Sequence, residues 1–213
     1  YIPGSETCLK IGGYVRFQTD FGRNKSGTSD WDSFSRAQFN IDTRSDTELG
    51  TLRGFMEFRG NADGGSAAAG TGARAADKGS AVFVQQAFIE LGGLKVGKFY
   101  SWWDDSLPGE YDNLSTNALF NSVRYAVDAG AFSVGLSVDE LEGLAGGRTG
   151  FTPKADNNIG IAGNIGYKAG GVEAALLGSY DTDREDGAVR GMLTADIGPG
   201  KLGVAGVWAS GYN

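Results

Sequence analysis

Four acidic side chains, at Asp104, Asp105, Glu110 and Asp112, lie in one short stretch of the chain. Histidine is absent and the only cysteine is Cys8, so the usual nucleophile–base triads and His- or Cys-based metal sites cannot be built. Asp104 and Asp105 are adjacent, which matches neither a calcium-binding loop nor a catalytic carboxylate pair. The chemistry predicted for these acids is therefore electrostatic, and no enzyme, cofactor or metal site is expected.

The segments around these acids alternate between apolar and polar residues. The alternation runs from Leu9 to Phe21, from Phe34 to Arg44 and from Leu52 to Asn61, and similar segments continue to the end of the chain. They predict about eleven strands joined as successive hairpins, with a polar turn over residues 24–30. The 36 glycines and 4 prolines suit tight turns, and no apolar run is long enough for a membrane-spanning helix. The predicted fold class is all-β.

The connections and the polar faces of these strands indicate a membrane barrel. Short turns such as Gly92-Gly93 alternate with long loops such as residues 64–80 and 140–157, as in barrels that span a membrane. The polar face carries Arg, Lys, Asp, Glu, Asn and Gln, whereas a soluble barrel fills that side with aliphatic residues. We therefore predict an antiparallel transmembrane β-barrel with a polar lumen.

The longest nonperiodic stretch, residues 99–121, contains all four acids. A barrel of about sixteen strands leaves a wide aqueous channel, so we predict that this stretch folds inward and narrows it. Strand position selects the basic wall residues opposite the acids, namely Arg16, Arg36, Lys98 and Arg124. Opposed charges of this kind create a transverse field that orients water and polar solutes.

Three predictions in and beside this stretch leave alternatives open. Lys98 has the parity of Leu94 and Val96, so it faces the lumen only if β-pairing is interrupted at Gly97 or ends there. The adjacent Trp102 and Trp103 fit an inward loop and fit equally well a rim at the membrane interface, where tryptophan is enriched. Acidic loops are also commonly just solvated surface.

Three segments resemble one known family, the porins of alphaproteobacteria. Residues 1–16, YIPGSETCLKIGGYVR, resemble the start of the first barrel strand of these porins. Residues 47–52, TELGTL, resemble their second periplasmic turn, and residues 87–97, AFIELGGLKVG, resemble strands four and five. The resemblance covers much of the first half of the chain, and the later strands agree in pattern.

The resemblance implies a barrel of about sixteen strands in the outer membrane, crossing it many times and assembled as a homotrimer. It implies general diffusion of ions and small hydrophilic solutes, an inward third loop, and wall positions for Arg16, Arg36 and Lys98. Residues 1–213 would then be a single barrel domain incomplete at both ends. Family members carry a second cysteine upstream of the position of Cys8, so the resemblance allows a disulfide there.

The expected partners are membrane lipid and lipopolysaccharide outside the barrel and solutes within it. A net charge of −7 disfavours nucleic acid. The main alternative is a non-porin outer-membrane barrel that acts as an adhesin, a receptor or a substrate-specific channel through its loops. A secreted β-solenoid would need a fixed repeat, which the sequence lacks.

Overall fold

The structure, a computed structural model, describes residues 7–26, 29–62, 82–105, 107, 118–141 and 158–211. Within these ranges lie eleven β-strands and one short 3₁₀ turn, Trp102–Asp104. The strands are β1 Cys8–Ser26, β2 Ser29–Thr47, β3 Gly50–Ala62, β4 Phe83–Leu91, β5 Leu94–Tyr100, β6 Leu119–Ala129, β7 Phe132–Glu140, β8 Ile159–Ala169, β9 Val172–Asp181, β10 Asp186–Ile197 and β11 Gly200–Ala209. No helix in these ranges is long and apolar enough to cross a membrane.

The strands follow one another in chain order in an antiparallel sheet, which confirms the predicted all-β class and the eleven strands. The boundaries differ in two places. β1 and β2 extend to Ser26 and back to Ser29, which shortens the predicted turn, and β5 and β6 reach into the nonperiodic stretch as far as Tyr100 and Leu119. Backbone pairing does not require apolar alternation, so a strand can extend beyond the alternating residues from which it was predicted.

The first compact unit comprises residues 1–89. β1, β2 and β3 pair antiparallel, with Arg16 opposite Arg36 and Arg36 opposite Asn61. The register of β1 with β2 is regular from Cys8 to Phe21 and shifts between Phe21 and Ser26. Because cross-strand partners in a pleated sheet point to the same side, this register places the charged residues of the three strands on one face.

The second compact unit comprises residues 90–213. β5 to β11 pair in order, again with regular register in each hairpin. Register partners carry the alternation from strand to strand, so that Val123 lies opposite Val138 and Val138 opposite Ile161. One side of this unit is therefore predominantly apolar.

The two faces of the sheet are inverted relative to a soluble protein. The exposed side chains include large apolar ones, such as Val15 at 87%, Phe21 at 80% and Trp208 at 65%. The buried side chains include Glu57 at 4% and Arg190 at 1% exposure. We call the side with Val15, Phe21 and Trp208 the apolar face and the side with Glu57 and Arg190 the polar face. This arrangement suits strands whose outer solvent is lipid.

Candidate functional site

The chain leaves the β5–β6 ladder at Ser101. The Ser101 amide donates a hydrogen bond to the Ala118 carbonyl at 2.9 Å, which closes the base of the loop. The Ser101 hydroxyl accepts a hydrogen bond from the Trp103 amide at 3.2 Å and caps the 3₁₀ turn. A serine at this position is a common start signal for a helical turn. The turn therefore begins immediately after the last paired residues of β5 and β6.

Trp102 is bound to the polar face through a chain of oriented hydrogen bonds. Its indole Nε1 donates to Ser137 Oγ at 3.1 Å, and Ser137 Oγ donates in turn to Asp139 Oδ2 at 3.1 Å. The hydroxyl of Ser122 donates to the other Asp139 oxygen at 2.6 Å. Ser137 and Asp139 are buried at 1% and 4% exposure, so these bonds form away from competing water.

Gly135 on β7 leaves the space that the Trp102 ring occupies. A Cβ atom at Gly135 would lie 2.6 Å from Trp102 Cη2 and 2.7 Å from Cζ2, which is closer than side-chain carbon atoms normally approach. Any residue with a side chain at this position would displace the indole.

Arg190 on β10 contacts the backbone of the same turn. Its Nη1 donates to the Trp103 carbonyl and its Nη2 to the Trp102 carbonyl, each at 3.1 Å. The guanidinium carbon also lies 5.1 Å from the centroid of the Trp103 ring, within range of a cation–π contact. The pattern of alternation did not single out this residue. The available signal was an arginine at polar-face parity between the uncharged Ala188 and Met192.

The predicted wall residue Arg124 lies against the base of the loop. Its guanidinium carbon is 3.7 Å from the centroid of the Trp102 ring and 4.7 Å from that of Phe99. Its Nη2 donates to the Tyr100 carbonyl at 3.0 Å. Arg124 therefore contacts the start of the loop from its position on the polar face.

Leu107 extends this docked segment across the unit. A Cβ atom at Gly203 on β11 would lie 3.3 Å from Leu107 Cδ2, so the leucine packs over a glycine. From Ser101 to Leu107 the described residues thus contact β7, β10 and β11 on the polar face. Trp102 and Trp103 lie on this face and not among the exposed apolar residues.

The predicted acids lie partly within the docked segment. Asp104 is half-buried in the 3₁₀ turn, where its amide donates to the Ser101 carbonyl at 3.2 Å, and Asp105 is exposed. Glu110 and Asp112 lie outside the described residues. The inward constriction over residues 99–121 stays a prediction as a whole, with its first residues on the polar face.

The predicted basic residues Arg16 and Arg36 lie side by side on the polar face of residues 1–89. They are register partners, and their guanidinium carbons lie 5.7 and 5.5 Å from the ring centroid of Phe34. Arg36 Nε also donates to Asn61 Oδ1 at 2.8 Å. Like charges opposite one another are unfavourable, and the ring face and the amide oxygen offset part of that repulsion.

Lys98 differs from the other predicted basic residues. It is exposed and has the same parity as the exposed Leu94 and Val96. β5 pairs with β6 without interruption from Leu94 to Tyr100. Lys95 has the opposite parity. Its Nζ atom lies 5.4 Å from the Phe99 ring centroid and 3.4 Å from Glu90 Oε2. The regular register therefore gives Lys98 the parity of the apolar face.

Two further ion pairs on the polar face were not predicted from the sequence. Arg59 Nη2 contacts Glu57 Oε1 at 2.8 Å, and Gln86 Nε2 donates to the other Glu57 oxygen at 3.0 Å. Arg53 forms two parallel hydrogen bonds with Asp42, each 3.1 Å long. Alternation indicates the face of each residue, but the pairing partner depends on strand register.

Comparisons with known proteins show the family to which this chain belongs. Residues 1–213 match the family described as porin subfamily. Outer membrane protein IIIA of Rhizobium leguminosarum bv. viciae is 44% identical over the whole chain, which covers 58% of that relative. A putative outer membrane protein of Sinorhizobium fredii is 46% identical and is covered to 60%. Porin Omp2b of Brucella suis is 29% identical over 92% of the chain and is covered to 53%. The chain therefore spans somewhat more than half the length of these relatives.

Solved structures share the fold. Two mutants of the Rhodopseudomonas blastica porin superpose with TM-scores of 0.58 and 0.56 at 14% and 15% identity, each over 94% of this chain and 74% of the other. These structures are outer-membrane β-barrels, and the inverted faces of this sheet fit the same environment. The chain belongs to the porin subfamily and has the antiparallel β-barrel fold of outer-membrane porins.

Proposed function

We propose that the complete protein is a general diffusion porin, a water-filled channel and not an enzyme. It would let ions and small hydrophilic solutes cross the outer membrane passively. The observation that carries this proposal is the inversion of the two faces, with Val15 and Phe21 exposed and Glu57 and Arg190 buried. A polar face of this kind suits contact with water inside a barrel, while the apolar face suits contact with lipid and lipopolysaccharide.

The constriction is proposed to arise from residues 99–121. Support comes from the contacts of Trp102, Trp103 and Leu107 with the polar face, since they direct the start of the loop over that face. We propose that Asp104, Asp105, Glu110 and Asp112 supply its negative charge and that Arg16, Arg36 and Arg124 supply positive charge. Lys98 is left out of this set because its parity is that of the exposed Leu94 and Val96.

Single-channel recording of the complete protein in a planar bilayer tests this function. We expect large, long-lived conductance steps and, under a salt gradient, a reversal potential that indicates a weak preference for cations. Replacing the four acids (Asp104→Asn, Asp105→Asn, Glu110→Gln, Asp112→Asn) should move the reversal potential towards anion preference, because the constriction then loses negative charge.

The matched control neutralises two acids in the turn after β9, Asp183→Asn and Glu185→Gln, and should leave the reversal potential near its original value. Folded, membrane-inserted protein that conducts no ions would overturn the channel proposal and favour a receptor or adhesin that acts through its loops. A shift of equal size per neutralised acid in the control would show that the acids of residues 99–121 act only as general surface charge.

A further inference from the structure

We propose that Arg190 is a positioning residue for the constriction loop and that its contacts with the 3₁₀ turn set the width of the channel. This inference rests on the proposed function, because it assigns a role within the same channel. Arg190 comes from β10, whereas the turn follows β5, so the contact joins elements 87 and 88 residues apart. A link of this length can hold a loop against a distant strand.

The burial of Arg190 requires specific compensation. Only 1% of the residue is exposed, and removing a guanidinium from water is costly unless its donors are satisfied. The carbonyls of Trp102 and Trp103 accept two of these donors, and the Trp103 ring lies beside the charge. The same bonds satisfy two carbonyls of a short turn, so the loop and the arginine stabilise one another.

The planar guanidinium is suited to this contact in a way that lysine is not. Two adjacent carbonyls accept one hydrogen bond each from Nη1 and Nη2 of the same group. This pair of bonds fixes the orientation of the turn as well as its distance from β10. A lysine ammonium keeps the charge but lacks the rigid fork. An Arg190→Lys substitution therefore separates positioning from charge.

The other contacts of the turn allow it to pivot when Arg190 is lost. Trp102 is held independently by Ser137 and by Arg124. The contacts of Trp103 with Arg190 join it to β10. We therefore expect Trp103 to lose its fixed position while Trp102 stays in place.

The test uses the complete protein with Arg190→Lys, Arg190→Met and the control Arg184→Lys. Arg184 lies in the turn after β9, where its Nε is 3.8 Å from Asp181. In planar bilayers we expect both Arg190 variants to change the open-channel conductance and to close at lower voltage. The reversal potential of Arg190→Lys should stay at its original value because the charge is kept.

A spectroscopic measurement reads the turn directly. With 5-fluorotryptophan in the complete protein, the fluorine NMR signals of Trp102 and Trp103 are identified by their loss in Trp102→Phe and Trp103→Phe. Arg190→Lys should change the chemical shift or the linewidth of the Trp103 signal. This change should be about twofold or more larger than the change at Trp102, as expected for a locally loosened turn. Arg184→Lys should move neither signal.

The two proposals fail in different ways. If the unsubstituted protein does not conduct, the porin function is wrong, while the fluorine signals still report whether Arg190 holds the turn. If Arg190→Lys keeps the original conductance, closing voltage and Trp103 signal, Arg190 is not a positioning residue. If Arg190→Met does not fold, Arg190→Lys alone decides the question.

Discussion

At the residue scale, the docked turn depends on small residues as much as on arginines. Trp102 can lie against β7 because Gly135 has no side chain, and Leu107 packs over Gly203 for the same reason. The hydrogen bond of the indole with Ser137 then orients the ring. A tryptophan held in this way places a large side chain in one orientation at the start of the loop.

Substitution of Gly135 tests this arrangement. We expect Gly135→Ala to destabilise the protein by about 1–3 kcal/mol, because the new methyl group overlaps the indole and breaks its bond with Ser137. The measurement is urea unfolding of the complete protein in lipid bilayers. Gly178→Ala on β9 is the control, since a Cβ there meets no atom within 4 Å. Equal midpoints for the two variants would contradict the proposed seat of Trp102.

At the level of the strands, each strand has one apolar face and one polar face. In β1 the exposed Val15 and Phe17 flank Arg16, and Gln18 lies on the polar side with its amide 2.8 Å from Asp20. The same alternation continues through β2 and β3 because register partners share a face. A charge should therefore be tolerated or rejected according to parity alone.

Two substitutions in β1 compare the faces. Val15→Arg should destabilise the inserted barrel by about 2–4 kcal/mol if the position is near the bilayer midplane, because a charged side chain must then face lipid. Gln18→Arg, three residues further along the chain, should cost much less, since Asp20 lies on the same side. Urea unfolding in bilayers measures both. A similar cost for both variants would argue against a lipid-facing Val15.

At the scale of the whole molecule, we propose a homotrimer, on the basis of the resemblance to porins. A trimer buries part of the apolar face of each barrel between subunits, and lipid covers the rest. Light scattering of the complete protein in detergent should give three times the subunit mass after subtraction of the detergent. Conductance should then appear in groups of three equal steps. A protein of single-subunit mass that conducts in isolated steps would contradict the trimer.

Much of this fold could be predicted from local pattern. All eleven strands were expected near their observed positions, because period-two alternation needs only neighbouring residues. Strand ends were less accurate, as with Tyr100 and Leu119, because backbone pairing extended beyond the alternation. The polar faces of Arg16, Arg36 and Arg124 also followed from parity.

The partners of these residues could not be predicted in the same way. Strand position put Arg124 on the wall but did not predict its contacts with the Trp102 ring and the Tyr100 carbonyl. Arg190 was not singled out, although it binds the backbone of Trp102 and Trp103. Parity indicates which side a residue occupies and says nothing about which distant residue it meets.

The all-β class, the order of the hairpins and the two faces follow from the sequence, since these depend on alternation and turn residues within each segment. The position of Trp102 and Trp103 on the polar face is known from the folded structure, because the sequence pattern fitted a membrane rim equally well. That choice depends on Gly135 and Arg190, which reach the turn only after β5 to β10 have paired in register. Contacts between residues so far apart in the chain exist only in the folded sheet.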